Sequence, residues 1–319
     1  MALAFVFPGQ GSQVVGMGRD LAAAFAPARE VFEAVDETLK QHLSRLMFEG
    51  PAEELTLTSN AQPALMAVSL AVLRVLEREG GFALRDKVSL VAGHSLGEYA
   101  ALAAAGSFDI ATAARLLRLR GDAMQAAVAP GLGAMAALLG AEAEQARDIC
   151  ARAAPEPETG QREVVEVAND NGGGQVVISG HKAAVERAME LAKAEGVKRA
   201  LPLPVSAPFH CSLMAPAAEA MAEALGDTEL AVPAVPVVAN VSAAKATDPA
   251  AIRDLLVQQV TGTVRWRESI AAMTAMGVDR FVELGAGKVL TGLMKRNAPD
   301  ATALACGTPA EIEAVLKSL

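Results

Sequence analysis

The stretch "VSLVAGHSLGEYAALAAAG", residues 88–106, constrains the fold more than any other part of the chain. A short apolar run ends at Gly93, and an Ala-rich segment of helical composition begins at Leu96. The pentapeptide GxSxG is weak alone, since glycine and serine fill many turns. Between a strand and a helix it is typical of a sharp turn that exposes the serine hydroxyl. The stretch therefore predicts a buried strand, a tight turn carrying a candidate nucleophile, Ser95, and a helix whose N-terminus favours developing negative charge.

The remaining segments predict a large α/β domain that is interrupted once. The apolar run "LAFVF" at 3–7 predicts a buried strand, and residues 21–39 and 61–79 predict helices. From 128 to 200 the elements become short and follow the order βαββαβ, which is that of a ferredoxin-like unit. We therefore assign residues 1–127 and 201–319 to a large subdomain and 128–200 to a small inserted one.

Composition and charge exclude several classes of protein. Hydrophobic residues make up 52% of the 319 residues and aromatic residues 3%, which suits aliphatic helices packed on a parallel sheet. The net charge of −9 gives no basic field for nucleic acid. Three scattered cysteines predict reduced thiols in a cytoplasmic protein. The first residues, "MALAFVFPGQ", lack the pattern of a signal peptide, and the later apolar stretches are too short for a membrane span.

A serine nucleophile needs a base within hydrogen-bond reach, and the chain has four histidines. His94 adjoins Ser95, so we expect its side chain to point elsewhere, and His42 and His181 lie in charged, solvated segments. His210 lies in "PVSAPFHCSLM", an apolar segment whose prolines exclude regular helix. It could be an ordinary core histidine, but given Ser95 it is the best candidate for the base. Its neighbour Cys211 is interpreted as a small apolar residue.

Arg120 interrupts an apolar helix face. In "DIATAARLLRLRGDAMQAAV" the helical period places Arg120 among apolar residues, whereas Arg115, Arg118 and Asp122 share the opposite face. A buried guanidinium needs an anion, because an uncompensated buried charge costs about 3–5 kcal/mol. That anion could be an internal Asp or Glu, or a substrate carboxylate held by the arginine fork. The sequence pattern alone leaves both open.

Six segments in order carry a family resemblance. They are "FVFPGQGSQ", "GHSLGEYAAL", "LRLRG", "VANDNGGGQVVISG", "PVSAPFHCSLM" and "VELGAGKVLTGLMKR". Together they resemble the malonyl-CoA:acyl carrier protein transacylases of bacterial fatty-acid synthesis, over essentially the whole chain. The resemblance implies an α/β-hydrolase-like large subdomain with an inserted ferredoxin-like small subdomain, and an active site in the cleft between them.

The resemblance also implies roles for particular residues. It matches Ser95 to the nucleophile and His210 to the base, and it favours the substrate carboxylate as the anion for Arg120. The backbone carbonyl of Gln259, which is the closest match, or of the adjacent Gln258 would orient the histidine. The other matches are Gln10 and Leu96 for the oxyanion hole, Phe209 and again Leu96 for malonyl selection, and Asn169 for a position near the cleft. The motif "GAGK" at 285–288 departs from the usual "GPGK", and we expect no effect from this change.

The implied reaction moves a malonyl group from malonyl-CoA to the phosphopantetheine thiol of acyl carrier protein through a malonyl-serine intermediate. The enzyme would hold no cofactor or metal of its own, since the carrier protein brings the prosthetic arm, and it would act as a monomer without nucleic acid or membrane. A free-standing acyltransferase serving a polyketide synthase is the main alternative. A serine thioesterase or esterase fits less well because more than 100 residues follow His210. A non-catalytic module that binds carrier protein is a further alternative.

Overall fold

The computed structural model describes residues 2–319, which form ten strands and fifteen α-helices. In chain order the strands are β1 Ala2–Phe7, β2 Leu90–Gly93, β3 Gly133–Leu139, β4 Val165–Asp170, β5 Gln175–His181, β6 Arg199–Pro202, β7 Val237–Val238, β8 Lys245–Ala246, β9 Val278–Leu284 and β10 Thr302–Cys306. The helices are α1 Arg19–Ala24, α2 Ala26–Leu39, α3 Leu43–Glu49, α4 Ala52–Thr56, α5 Thr58–Gly80, α6 Leu84–Lys87, α7 Leu96–Ala104, α8 Ile110–Ala126, α9 Ala143–Ala153, α10 Lys182–Ala194, α11 Ala215–Gly226, α12 Pro249–Thr261, α13 Trp266–Ala275, α14 Val289–Asn297 and α15 Pro309–Leu316.

Six strands form the larger sheet, in the order β10-β9-β1-β2-β7-β8. All of its neighbours are parallel except β7 and β8. The carboxyl ends of β1, β2 and β7 lie side by side, and in parallel sheets this edge is where ligands bind. The residues that follow these strands, Gln10, Ser95 and Asn240, therefore approach one another. The edge strand β10 and helix α15 were not expected from the sequence.

The other four strands form a separate antiparallel sheet in the order β4-β5-β3-β6, with α9 and α10 packed on it. Its apolar core is separate from that of the larger sheet and is built only from residues within 134–200. The predicted α/β fold class, with a parallel-rich sheet and a second small one, is confirmed. The boundaries 128 and 200 stay a prediction.

A seam joins the two sheets, and we define it as residues 167–170 of β4 together with residues 263–267. The Val264 N–H donates to Ala168 O and the Asp170 N–H donates to Val264 O, both at 2.9 Å. The Arg267 guanidinium also pairs with the nearly buried Asp170 carboxylate at 2.8 Å. The second sheet is therefore held by backbone bonds next to the C-terminal end of α12.

Two expected elements differ in extent. Residues 21–39 do not form one helix, because α1 ends at Ala24 and Phe25 is extended at φ −130°. Pro27 explains the break, since its ring would clash with the carbonyl four residues earlier in a continuous helix. Strand β2 begins at Leu90 rather than Lys87, which belongs to α6. The prediction that the later apolar stretches are too short for a membrane span is wrong for α5. Among residues 2–319 this helix alone is long and apolar enough to cross a membrane, and 89% of its most apolar stretch is buried in the protein.

Candidate active site

Ser95 lies at the turn between β2 and α7, as the sequence predicts. It caps α7 at a positive φ of 53°, in the left-handed region that costs a non-glycine residue about 1–3 kcal/mol. The flanking glycines permit this close passage: a Cβ on Gly97 would lie 2.3 Å from Phe7 O, and one on Gly93 would lie 1.9 Å from the Gly97 carbonyl carbon. The strand and the helix can pass this closely only with glycine at both positions.

His210 reaches Ser95 from the irregular segment between β6 and α11. Its Nε2 lies 2.7 Å from Ser95 Oγ, and its Nδ1 lies 2.9 Å from the backbone oxygen of Gln259. A carbonyl oxygen only accepts, so Nδ1 carries the proton and donates it to Gln259 O. In the neutral imidazole Nε2 is then the acceptor for the Ser95 hydroxyl, which is the arrangement of a general base.

The environment of His210 keeps its imidazole neutral. The ring is buried, and the positive charge of Arg120 lies nearby. Burial, and secondarily that charge, lower the pKa of His210 to about 3, against the opposing effect of the hydrogen bond to Gln259. His210 is therefore unprotonated in the free protein at neutral pH and can accept a proton.

The Arg120 guanidinium is almost completely buried, with 1% of the residue exposed. Its Nη1 donates to Gln62 Oε1 at 2.7 Å, and its Nη2 donates to Gln259 Oε1 at 2.9 Å and to Ser95 Oγ at 3.1 Å. No carboxylate lies within 4.0 Å of it among residues 2–319. A guanidinium has five N–H donors, and these three bonds leave two of them without a partner among residues 2–319: one on Nη1 and the Nε–H, which is itself buried.

Gln259 connects the serine, the histidine and the arginine. Besides accepting from His210 with its backbone oxygen and from Arg120 with its side chain, it donates from Nε2 to Ser95 O at 3.0 Å and to Glu98 Oε2 at 2.9 Å. The resemblance implies that the backbone carbonyl of Gln259 orients His210, and this oxygen lies within hydrogen-bond distance of the His210 ring.

Gln10 and Leu96 line the same cavity as Ser95. Leu96 is the first residue of α7, so its N–H has no acceptor within its own helix. Gln10 follows β1, and its side-chain oxygen accepts from Thr58 Oγ1 at 3.0 Å. Thr58 in turn accepts from Gln62 Nε2 at 2.9 Å, which links the Gln10 loop to the arginine site.

A cavity of about 500 Å³ opens over Ser95 between the two sheets. Phe209 and Asn169 are both buried and lie in its wall, Phe209 beside the histidine and Asn169 on β4 of the second sheet. All the sequence-predicted site residues except Gln259 line this cavity; they are Gln10, Ser95, Leu96, Arg120, Asn169, Phe209 and His210. Gln259 is buried beneath them.

The remaining candidates lie where the sequence placed them. His94 turns away from Ser95, and its Nε2 lies 2.8 Å from Asn171 Oδ1. His42 is exposed, and His181 is half-buried and accepts from the Val164 N–H. Cys211 is fully buried, and burial raises the pKa of its thiol to about 11, so it is not a thiolate at neutral pH. Among residues 2–319 no group of three or more His, Cys, Asp or Glu could hold a metal ion.

Three residues that hold the site were missed at the sequence level. Asn240 follows β7, accepts from the Ser95 N–H at 2.8 Å and donates to Gly93 O at 2.7 Å. Gln62 and Glu98 are buried polar residues in the largely apolar helices α5 and α7. The reasoning that singled out Arg120, a polar group on an apolar helix face, would have found both.

Comparison with known proteins identifies relatives along the whole chain. A family model described as "Acyl transferase domain" matches residues 4–308. The malonyl CoA-acyl carrier protein transacylase of Escherichia coli (strain K12) is 48% identical over 98% of both chains. A crystal structure of an acyl-carrier-protein S-malonyltransferase from Bartonella henselae is 56% identical, with a TM-score of 0.95 over 100% of this chain and 99% of that one. A malonyl-transacylase in complex with a type II PKS acyl-carrier protein is 44% identical, with a TM-score of 0.95 over 100% of each chain.

Proposed function

Because this chain belongs to the acyl transferase family, we propose that it transfers the malonyl group from malonyl-CoA to the phosphopantetheine thiol of acyl carrier protein, supplying fatty-acid synthesis. One observation carries this proposal. A single oxygen, Ser95 Oγ, lies 2.7 Å from the base His210 and 3.1 Å from the buried cation Arg120. A nucleophile, its base and a carboxylate-binding group meet at one point.

In the first half-reaction Ser95 Oγ attacks the thioester carbonyl of malonyl-CoA while His210 Nε2 takes the hydroxyl proton. The tetrahedral oxyanion is bound by the backbone N–H groups of Gln10 and Leu96. The C–S bond then breaks, coenzyme A leaves as the thiol with the proton from His210, and the malonyl group remains as an ester on Ser95.

The second half-reaction reverses these steps with a different thiol. His210 takes the proton of the phosphopantetheine S–H, and the sulfur attacks the malonyl ester. Collapse of the intermediate releases malonyl carrier protein and returns the proton to Ser95. The protein supplies no cofactor in either step, since the reacting sulfur belongs first to coenzyme A and then to the arm of the carrier protein.

Selectivity for malonyl groups is assigned to the residues around the acyl chain. Binding of the free carboxylate is assigned to the Arg120 guanidinium, since Arg120 lines the cavity beside Ser95, and Gln62 and Gln259 fix the plane of that group. Leu96 and Phe209 leave little room for an α-methyl branch. Asn169 supplies a polar side chain in the cavity wall.

We further propose that residues 128–200 are an inserted subdomain and that the enzyme works as a cytoplasmic monomer, without nucleic acid or membrane. The separate core within residues 134–200 supports the first assignment. The net charge of −9, three free buried cysteines and the buried position of α5 support the cellular setting.

Transfer to a polyketide carrier protein is the second candidate, because the relative in complex with a type II PKS acyl-carrier protein matches the whole chain. The experiment incubates the protein with malonyl-CoA and either a fatty-acid or a polyketide carrier protein, each carrying its phosphopantetheine arm. Malonyl carrier protein is followed by intact mass. Faster transfer to the fatty-acid carrier supports the first proposal, and faster transfer to the polyketide carrier supports the second. Release of malonate faster than either transfer would identify a thioesterase.

A further inference from the structure

Glu98 is a buried carboxylate that the mechanism above does not use. It lies in the first turn of α7, three residues after Ser95, and only 2% of it is exposed. Its Oε2 accepts two hydrogen bonds, from the Asn240 N–H and from Gln259 Nε2, both at 2.9 Å. A buried carboxylate beside an active site costs free energy unless it is compensated.

The Gln259 side-chain amide separates Glu98 from Arg120. Its Nε2 donates to the carboxylate of Glu98, while its Oε1 accepts from the Arg120 guanidinium at 2.9 Å. The two charges therefore compensate each other across one amide without forming a direct ion pair. Among residues 2–319 no carboxylate therefore occupies the Arg120 guanidinium, which donates only to the neutral oxygens of Gln62, Gln259 and Ser95.

In the described part of the chain, residues 2–319, no other ionised group faces Glu98. Strands β1, β2 and β7 contain no ionisable residue. The ionisable residues of α5 lie in its last turns, where their side chains are exposed or half-buried. On α7 itself burial raises the pKa of Tyr99 to about 12, so that phenol is neutral. Burial lowers the pKa of both His94 and His210. The other ionisable residues of the contacting helices α8 and α12 are exposed or only half-buried: Arg115, Arg118, Asp122, Arg253 and Asp254.

The buried charges balance in the free enzyme but not in the complex. Arg120 contributes one positive charge and Glu98 one negative charge. A malonyl carboxylate adds a second negative charge to the same buried volume, where charges are weakly screened. Binding of substrate must therefore be accompanied by loss of one negative charge or by a large electrostatic cost.

We propose that Glu98 is the resident counter-ion of Arg120 in the free enzyme and takes up a proton from solvent when a substrate carboxylate binds the guanidinium. The proton returns to solvent when the malonyl group leaves on the carrier protein, so the cycle is balanced. Glu98 thus sets how tightly the carboxylate is held. This inference rests on the proposed function and on the assignment of Arg120 within it.

The two protonation states of Glu98 are close in free energy near neutral pH. Burial raises the pKa of its carboxyl to about 7, opposed by the hydrogen bonds from Asn240 and Gln259 and by the charge of Arg120. A carboxylate arriving at Arg120 removes part of that last, opposing effect. It therefore shifts Glu98 toward its protonated form at a pH where the free enzyme is ionised.

The direct test measures proton uptake on binding. Ser95→Ala protein binds malonyl-CoA or acetyl-CoA at pH 8 in two buffers of different ionisation enthalpy, followed by titration calorimetry. The proton uptake measured with acetyl-CoA is subtracted, because it accounts for the protons exchanged when the coenzyme A part of the ligand binds. We expect malonyl-CoA to take up more protons than acetyl-CoA, with an excess approaching one per site, and Glu98→Gln in the same background to abolish the excess. Equal uptake for both ligands, or an excess that survives Glu98→Gln, would overturn the inference.

The kinetic test uses the intact enzyme. The KM for malonyl-CoA should rise with pH above about 7, by up to about tenfold per unit, because binding then requires a proton. It should be independent of pH over this range in Glu98→Gln, and lower than wild type at pH 8. A KM that rises equally in both proteins, or equally for acetyl-CoA, would contradict the proposal.

Glu283→Gln is the matched control. Glu283 is a second buried carboxylate, 1% exposed, which accepts from the Leu290 and Thr291 N–H groups at the start of α14. Its substitution should leave the proton excess and the pH dependence of KM as in wild type. If malonyl-CoA acylates the wild-type protein without excess proton uptake, this inference alone fails. If malonyl-CoA neither binds nor acylates, the proposed function fails.

Discussion

Arg120 and Ser95 are in direct contact, with Arg120 Nη2 donating to Ser95 Oγ at 3.1 Å. A group that binds the carboxylate of a malonyl thioester must lie this close to the nucleophile, because a single methylene separates the carboxylate from the carbonyl that is attacked. With Arg120 in the proposed role, we therefore expect this contact to restrict the substrate to a short acyl chain. A longer dicarboxylic chain would place its carboxylate beyond the guanidinium.

Replacing Arg120 by alanine should change substrate preference. We expect Arg120→Ala to lower kcat/KM for malonyl-CoA by about a hundredfold or more, following the ~3–5 kcal/mol cost of breaking such a buried pair. Acetyl-CoA has no carboxylate to lose, so its kcat/KM should fall far less. Steady-state kinetics with both substrates measure the ratio.

The melting temperature of Arg120→Ala separates this role from a structural one. Among residues 2–319 no carboxylate lies within 4.0 Å of the Arg120 guanidinium, and Glu98 can become neutral by binding a proton, so the fold should survive. A parallel loss on both substrates together with a lower melting temperature would show that the arginine only supports the fold.

Ser95 should carry the acyl group. Brief incubation with malonyl-CoA is expected to leave one malonyl ester per chain, because His210 can take the Ser95 proton at 2.7 Å. Intact mass and peptide mapping locate the ester, and Ser95→Ala should abolish it. Cys211→Ala is the control, since that thiol is buried and neutral and its loss should leave labelling unchanged. A label on Cys211 would overturn the assignment.

The acylation rate should be independent of pH between about 5 and 7. The pKa of His210 is about 3, well below its ordinary 6.5, so the base is already unprotonated throughout this range. The measurement is the pre-steady-state release of coenzyme A. No acceptor thiol is present in this half-reaction, so the ionisation of that thiol does not affect the measured rate. A rate that falls toward acid with a midpoint near 6.5 would mean that His210 titrates normally.

The lowered pKa of His210 also predicts how the free energy of unfolding changes with pH. Below pH 6.5 a histidine in the unfolded chain binds a proton that the buried His210 does not bind. The contribution of this residue to the free energy of unfolding is therefore full above pH 6.5 and declines progressively as the pH falls toward 3. Replacing His210 with glutamine, which cannot titrate, should reduce the dependence of the melting temperature on pH across this window.

Transfer to carrier protein should weaken with rising salt. Acyl carrier proteins are acidic, whereas helix α10 and the start of β6 present exposed basic residues that we propose as the contact with carrier protein: Lys182, Lys193, Lys198 and Arg199. Lys193 already pairs with Glu190 at 2.6 Å, so Lys198→Ala and Arg199→Ala should have the larger effects. Lys317→Ala, beyond the small sheet, is the control. Equal salt dependence for carrier protein and for a small neutral pantetheine thiol would count against this surface.

The parts predicted best from the sequence are those fixed by local chemistry. The segment GHSLG lies between an apolar run and an Ala-rich segment, and few backbone conformations fit that pattern. The structure has the predicted strand, the turn at Ser95 and the helix. Arg120 was found because its charge contradicts the apolar face around it, and the structure buries it. Phe25 was not recognised as a helix break, since the periodic pattern continues across it.

The contacts between distant segments could not be predicted from periodicity. Asn240 reaches Ser95 only because β7 lies beside β2, and that neighbour relationship is a property of the sheet order. The short strand Val237–Val238 carries too few residues for a pattern. Strand β10 was missed because its alternating "TALAC" is weakly apolar at the edge of the sheet.

The seam limits how this enzyme can be recombined with its relatives. The proposed subdomain 128–200 would enter and leave the larger fold at two chain connections, like a cassette that could be exchanged between homologues. The bonds from the Val264 N–H to Ala168 O and from the Asp170 N–H to Val264 O are a further attachment, only five residues from Gln259, whose backbone oxygen accepts from His210. We expect a chimera that is joined correctly at its two ends but mismatched at 167–170 to tilt α12. The tilt would also move the Gln259 backbone oxygen that accepts from His210. A viable crossover must therefore carry residues 263–267 together with the cassette.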